Sequence, residues 1–369
     1  MVNSNICNDE LFMPGDWLPV IQKIQKHEGT VIVLGKTDSG KTSFIKLLTC
    51  FLVRRNRKIG IIDSDIGQST LGPPATIGLS IADKNRLKDG IIPVDYMYFI
   101  GAISPEQCID RFLDRIYRLY TIAEKEKIDV LLIDTTGLVM GRVGQYLKGN
   151  LIRKIHPSAL VALQFDRELE PILSEFVSQS LIHTYRITPY PNIVERNWRD
   201  RKSRREKQFN LYFKGLQVKE IDFSTMVMKD FNFGLSFCSD NNIAESIGQI
   251  FKLEIIFLEV IGSRAILILP DPQNIPDKAT FIKIKRYLQV EQVVLIFPHW
   301  FQNILASLNN AEGLSIGLGI VKRIDVAEKR NTFLVPASLS LGNIAQIELG
   351  KVRIKPDGTE LPYREPLKY

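Results

Sequence analysis

Cysteine is scarce: Cys7, Cys50, Cys108 and Cys238 are the only four in 369 residues, and no two form a C-x-x-C pair. That spacing indicates neither a zinc knuckle nor a disulfide framework, and it fits a reducing compartment. No apolar run approaches the roughly 20 residues needed to cross a bilayer as a helix. The N-terminus mixes Asn, Asp, Glu and Pro without the basic-then-apolar layout of a leader. A cytoplasmic protein with no membrane contact is expected. Repeats and low-complexity tracts are missing too, as is the N-K-x-D motif with which GTPase-like switches read guanine. The nearest approach, Gln164-Phe165-Asp166, lacks the lysine. What remains is ample for folding: 45% of the residues are hydrophobic, enough for two domains with their own cores. The net charge of +7 suits a polyanionic partner, although many proteins without one share it.

Residues 31–42 read Val-Ile-Val-Leu-Gly-Lys-Thr-Asp-Ser-Gly-Lys-Thr, a strand-type apolar run followed at once by G-x-x-x-x-G-K-[ST]. Gly35 and Gly40 let the backbone turn so that the N–H groups of Lys36, Thr37, Asp38, Ser39 and onward through Ser43 face a β/γ-phosphate. Lys41 adds a mobile positive charge, and Thr42 offers a hydroxyl to Mg²⁺. Phe44, Leu47, Leu48, Phe51 and Leu52 then recur at helical spacing. Nucleoside triphosphate binding follows.

Strand-type runs come next at residues 58–63, 96–100, 130–134 and 158–165. Between the middle two, Ser104-Pro105-Glu106-Gln107 carries a helix-start signature, with Ser104 as N-cap and Gln107 closing a capping box. Phe112, Ile116, Leu119 and Tyr120 continue at helical spacing. This alternation predicts an α/β P-loop NTPase domain on a parallel, doubly wound sheet at residues 29–218, after an N-terminal segment at 1–28 that is too short for a domain. From about residue 220 the texture changes to apolar runs among turn residues, with short strands expected at 319–324, 332–335, 344–349 and 352–354 and a tight turn at Pro356-Asp357-Gly358. A smaller β-rich C-terminal domain is expected at 219–369.

Asp63-Ser64-Asp65-Ile66-Gly67-Gln68 follows the second strand, so its side chains emerge at the carboxyl edge of a parallel sheet, where the phosphates lie. Asp63 and Asp65 there can enter the Mg²⁺ shell or accept a proton from an attacking hydroxyl; an Asp-rich turn capping the next helix is the plainer alternative. Asp134 ends Val-Leu-Leu-Ile-Asp in the manner of a Walker B strand and is a further Mg²⁺ candidate. Arg196, Arg199, Arg201, Lys202, Arg204, Arg205 and Lys207 crowd one short segment, with Arg201 and Arg205 on one face if it is helical. Such a run is either a solvated charged helix or a hinged lid over the phosphates (residues 191–215).

Taken together these segments resemble the polynucleotide 5′-hydroxyl kinases related to the eukaryotic RNA-end-processing and ribosomal-RNA-processing kinases, and most of all their compact archaeal members. The likeness is carried by residues 35–42, by Asp63-Ser64-Asp65-Ile66-Gly67-Gln68 as D-x-D-x-G-Q, and by Tyr98-Phe99-Ile100-Gly101 with Ser104-Pro105. Thr135-Thr136-Gly137 resembles the family's T-x-G clasp, and the Arg-rich run leads into Phe209-Asn210-Leu211-Tyr212-Phe213. A weaker echo continues through 317–325 and 350–358.

The resemblance implies transfer of the γ-phosphate of ATP, or another NTP, to the 5′-hydroxyl of RNA or DNA, with Mg²⁺. It assigns Lys41 to the β/γ-phosphates, Asp65 to the base with Asp63 in support, and Arg201 or Arg205 to the phosphoryl group in the transition state. Thr42, Asp63, Asp65 and Asp134 would serve the metal, and Gln68, Thr135, Thr136 and Gly137 the acceptor. A non-catalytic ATP-binding scaffold of an RNA-processing complex also occurs among such proteins, but a pure scaffold has no need of Lys41, Asp65 and the arginine lid all three. Leu138 stands where the eukaryotic relatives often have Trp, which leaves a stacking contact to Trp198 or Tyr190 unless these are core.

Overall fold

The computed structural model describes residues 14–26, 28–87, 93–177, 179, 181–189, 197–231, 233–237, 242–340 and 342–369. Cys7, Tyr190, Arg196 and Cys238 lie outside them. The chain divides into two compact units, Met1–Arg205 and Glu206–Tyr369.

The first unit begins with α1 (Trp17–Ile24), whose apolar face, Trp17, Val20, Ile21 and Ile24, is buried. Trp17 meets Phe44 edge-on and donates its indole N–H to the Thr188 carbonyl at 2.7 Å. The segment ahead of the first strand therefore helps to build the core of this unit. There follow β1 (Gly29–Gly35), α2 (Lys41–Arg54), β2 (Ile59–Asp63), β3 (Thr76–Ala82), α3 (Lys84–Leu87), β4 (Tyr96–Phe99), α4 (Ile109–Lys125), β5 (Val130–Asp134), α5 (Gly141–Ile155), β6 (Ala159–Leu163), α6 (Glu170–Leu173) and β7 (His183–Ile187). The sheet order is β4-β3-β2-β5-β1-β6-β7. From β2 to β7 the pairs are parallel, as the alternation of strands and helices predicts. β3 and β4 extend that edge antiparallel, a departure from an all-parallel sheet.

The helix start expected at Ser104 is corrected. Residues Pro105–Gln107 make one 3-10 turn, Ser104 forms no side-chain cap, and α4 opens after Cys108. Phe112, Ile116 and Leu119 then face the core as their spacing requires.

α7 (Trp198–Tyr212) carries the division between the units. Its later residues are tied to the second: Glu206 accepts from Glu360 N–H at 2.9 Å, Asn210 donates to the Asp357 carbonyl at 2.9 Å, and the Tyr212 hydroxyl accepts from Leu318 N–H at 2.8 Å. These bonds move the division ahead of the boundary at 218 read from the sequence. The turn at Pro356-Asp357-Gly358 forms as expected, with Gly358 at φ +87° and no room for a Cβ against Glu206 O and Asn210 N.

The rest of the second unit comprises β8 (Leu216–Asp222), β9 (Val227–Asp230), α8 (Asn242–Phe251), β10 (Phe257–Ile261), β11 (Arg264–Ile268), α9 (Lys278–Leu288), β12 (Gln292–Ile296), β13 (Ile304–Asn309), β14 (Ser315–Asp325), β15 (Arg330–Pro336), β16 (Gln346–Ile354), β17 (Glu360–Leu361) and β18 (Leu367–Lys368). The strands form a larger sheet, β17-β16-β13-β14-β15-β8 with β9 on β16, and a smaller one, β10-β11-β12-β18. The unit is β-rich as expected, with one difference: the strands expected at 344–349 and 352–354 are a single strand, β16. Among the described residues no helix is long and apolar enough to cross a membrane.

Candidate active site

Three strands of the first sheet deliver their carboxyl ends to one edge. β1 lies between β5 and β6, and its last residue, Gly35, opens the phosphate-type loop. Asp63 at the end of β2 is in register with Asp134 at the end of β5, so parallel pairing alone sets two acids side by side next to that loop. This edge is where open α/β sheets bind ligands.

The loop is shaped by close backbone contacts. Gly35 has no space for a Cβ against Ser39 Oγ and the Leu163 carbonyl, Asp38 sits at φ +61°, and Gly40 at φ +93° opens α2. Lys41 is buried, and its ammonium donates to the Lys36 carbonyl at 2.7 Å. Burial pulls its pKa down, opposed by Asp134, Asp65 and Asp38. Lys36 turns to Glu168 at 3.6 Å, Ser43 is exposed, and Ser39 Oγ is buried with no hydrogen-bond partner among the described residues. Thr42 donates its hydroxyl to Asp134 Oδ2 at 2.6 Å, while Asp134 Oδ1 is buried with no hydrogen-bond partner among the described residues.

The two acids after β2 differ in how they are used. Asp63 is fully committed: Oδ2 accepts from Ser69 Oγ, Thr70 N, Thr70 Oγ1 and Leu71 N at 2.6–3.2 Å, and Oδ1 accepts from Asp65 N at 3.0 Å. Asp65 accepts the Gly67 and Gln68 amides at Oδ1, at 3.2 and 3.0 Å, and none of the described residues donates to Oδ2. Asp63 thus folds the loop that presents Asp65. Gln68 Nε2 donates to the Gly67 and Arg201 carbonyls at 2.7 and 3.2 Å, and Arg201 reaches Asp38 at 3.6 Å, which brings the start of α7 to the loop. Arg205 is partly buried one turn further on. Trp198 is 67% exposed with the Arg199 guanidinium over its ring at 5.4 Å, so it is not core.

The residues after β5 are placed differently from what the T-x-G likeness implies. Thr135 is buried and donates its hydroxyl to the Val33 carbonyl at 2.7 Å, stitching β5 to β1. Thr136 is also buried, and its hydroxyl and carbonyl both accept from the ammonium of Lys148, at 3.0 and 2.8 Å. Gly137 lies on Thr37, where a Cβ would overlap Thr37 N, Oγ1 and Cα. Lys148 was not foreseen, yet its position carried a signal: Gly144, Leu151, Ile152 and Ile155, all buried, mark the inner stripe of α5, and Lys148 falls on it.

Asp63 and Asp134 share this dry edge. Burial raises both pKa values, the backbone N–H of Thr70 opposing the rise at Asp63, and burial together with the Asp63 charge takes Asp134 to about 7. Burial and the Lys41 charge take Lys148 down to about 7. The folded chain therefore holds a proton on Asp134 that an unfolded carboxyl with a pKa of about 3.9 has released, and stability falls as pH rises between those values. In urea melts without divalent cations, wild type and Asp134→Asn should be alike at pH 4, and the variant should be the more stable at pH 8. A more stable wild type at pH 8 would show that burial is not the controlling cause.

No cluster of three metal-type side chains occurs among the described residues. Asp134 Oδ1 and the Thr42 hydroxyl nevertheless fit a hard cation such as Mg²⁺, which takes one or two protein oxygens and completes its shell from phosphates and water.

A family model described as the P-loop of mRNA cleavage and polyadenylation factor CLP1 matches residues 35–215. A polyribonucleotide 5′-hydroxyl-kinase of Pyrococcus furiosus is 30% identical over 340 residues, covering 91% of this chain and 90% of its own. The chain belongs to the polynucleotide 5′-hydroxyl-kinase family. Another member, from Methanocaldococcus jannaschii, is 30% identical over 336 residues, covering 90% of this chain and 88% of its own. Wild-type Clp1p, solved in complex with Pcf11p, shares the fold at a TM-score of 0.57 and 12% identity, over 90% of this chain and 77% of that one. This family member thus carries the P-loop NTPase architecture expected from its sequence, with a β-rich second unit.

Proposed function

We propose that the chain transfers the γ-phosphate of ATP, or another NTP, to the 5′-hydroxyl of an RNA or DNA end. The observation that carries this reading is the convergence of the phosphate loop, Asp65 and Asp134 on one sheet edge, in a chain related over nine-tenths of its length to proteins named as 5′-hydroxyl kinases. Loop N–H groups and the N-terminus of α2 receive the β- and γ-phosphates. Lys41 leaves the Lys36 carbonyl for a phosphate oxygen as the nucleotide enters. Thr42 and Asp134 would hold Mg²⁺, which neutralises charge on the phosphates when bound.

Asp65 Oδ2 takes the proton of the 5′-hydroxyl as its oxygen bonds to the γ-phosphorus and the bond from that phosphorus to the β-phosphate oxygen breaks. Arg201, from its place beside Asp38, and Arg205 supply positive charge to the phosphoryl group in flight. Asp63 supports Asp65 through the loop rather than at the metal. Gln68 fixes the first turn of the arginine helix, and Thr135, Thr136 and Gly137 set the contour of the acceptor side.

The test is to incubate purified chain with γ-labelled ATP and matched oligonucleotides, RNA and DNA, bearing either a 5′-hydroxyl or a 5′-phosphate. Label should appear only on 5′-hydroxyl ends and vanish with EDTA. No transfer to either nucleic acid, with GTP hydrolysed instead, would overturn the proposal in favour of a switch-type NTPase.

A further inference from the structure

Residues 135–137 are fixed at each successive position by a different element. Thr135 is tied to β1 through the Val33 carbonyl, Thr136 to α5 through Lys148, and Gly137 to the phosphate loop by direct contact with Thr37. Only one of these ties can carry a charge. Lys148 is 1% exposed, and among the described residues both hydrogen bonds of its ammonium go to Thr136. Packing alone does not call for a lysine there, because a methionine of similar length would fill the space without stripping water from an amine.

The cost of that burial is borne beside the reacting groups, since the charges acting on Lys148 are those of Lys41, Asp65 and Asp134. We infer that Lys148 is a positioning residue of the phosphoryl-transfer centre: by gripping both polar groups of Thr136 it holds Asp134 on one side and Gly137 on the other in their places against the phosphate loop. The inference rests on the kinase reading above for its effect on rate, and on the hydrogen bonds alone for its effect on the turn.

The test compares wild type, Lys148→Met, Thr136→Val and the double variant in full-length protein. Lys148→Met should lower kcat by roughly 10- to 100-fold, the penalty of a displacement of about 1 Å at a reacting centre, while the KM for ATP moves by less than about threefold because the loop N–H donors remain. The double variant should be no slower than Lys148→Met, since the Thr136 hydroxyl then has nothing left to receive; losses that multiply would show that Lys148 does not act through Thr136. Amide exchange in the peptide 134–138 should quicken by about tenfold in Lys148→Met with that of β6 unchanged.

Unaltered exchange, or a kcat within about twofold of wild type, overturns the inference. If Lys148→Met does not fold, Thr136→Val, which breaks only the hydroxyl half of the grip, should show the same pattern to a smaller degree, and wild-type behaviour in it counts against the inference. A wild type that transfers no phosphate defeats the kinase reading, and the exchange measurement then decides the positioning role by itself.

Discussion

Asp65→Asn should lower phosphoryl transfer by roughly 10²- to 10⁴-fold, the span over which a positioned general base contributes, with the fold and the nucleotide affinity kept. Both parts follow from how the carboxylate is used. Asp65 Oδ1 holds the turn by accepting the Gly67 and Gln68 amides, and an asparagine oxygen can accept them equally well. What asparagine cannot do is take a proton at the other atom. Asp63→Asn makes the contrast: both Asp63 oxygens already accept, so an amide nitrogen there faces N–H or O–H donors and the 65–71 loop loses its anchor. That variant should melt earlier, whereas Asp65→Asn should melt like wild type. Kinetics at saturating ATP together with thermal melts separate the two acids. An Asp65→Asn protein of near wild-type rate beside a dead Asp134→Asn would move the base to Asp134.

The phosphate loop and the strand and helix that flank it were legible because their signals are local. An apolar run, two glycines and a lysine lie within residues 31–42, and β1 and α2 form on either side of them. The second strand was legible for the same reason. β3 was not: its sequence, TIGLSIA, is buried at every position, so it shows no alternation, and Gly78 and Ser80 dilute its apolar character. Its antiparallel place beside β2 depends on a pairing that no short window contains.

In the second unit, residues 344–349 and 352–354 looked like separate strands because Gly350 and Lys351 resemble a break. The chain runs through them as β16, and the pairing register with β13 shifts between Ile304 and Ala306, where the bulge absorbs the extra residues. α9 reads KATFIKIKRYL and buries only Phe281 and Ile284, too sparse a stripe to stand out.

The acceptor side was the least legible part of the site. Family likeness suggests hydroxyls at 135 and 136 facing a substrate, and the structure turns both inward, one to Val33 and one to Lys148. Which way a hydroxyl faces depends on neighbours brought by β1 and α5, and those are remote in sequence. Periodicity along α5 could mark Lys148 as misplaced among Leu151, Ile152 and Ile155, but it could not name Thr136 as its partner. Residues 135–137 therefore shape this edge through hydroxyls turned inward and through the close approach of Gly137 to Thr37.

Gly137→Ala should abolish nucleotide binding for practical purposes, with affinity for ATP falling by about 10²-fold or more, while Lys148 and the acids stay in place. The added methyl overlaps Thr37 N and Oγ1 and lies 2.5 Å from its Cα, so relief requires moving loop backbone and not merely a side-chain rotation. The displaced segment is the one whose N–H groups would receive the phosphates, and a shift of about 1 Å there forfeits their alignment. Sterics, not backbone strain, is the cause, since Gly137 is not among the residues at positive φ. Trimming the partner should accordingly fail to help: Thr37→Ala removes Oγ1 but leaves N and Cα in the way, so Gly137→Ala/Thr37→Ala should bind ATP no better than Gly137→Ala alone. Titration of a fluorescent ATP analogue measures this directly, and Thr37→Ala by itself should remain close to wild type. Recovery of binding in the double variant would place the conflict in the Thr37 side chain and leave the backbone of the loop free of Gly137.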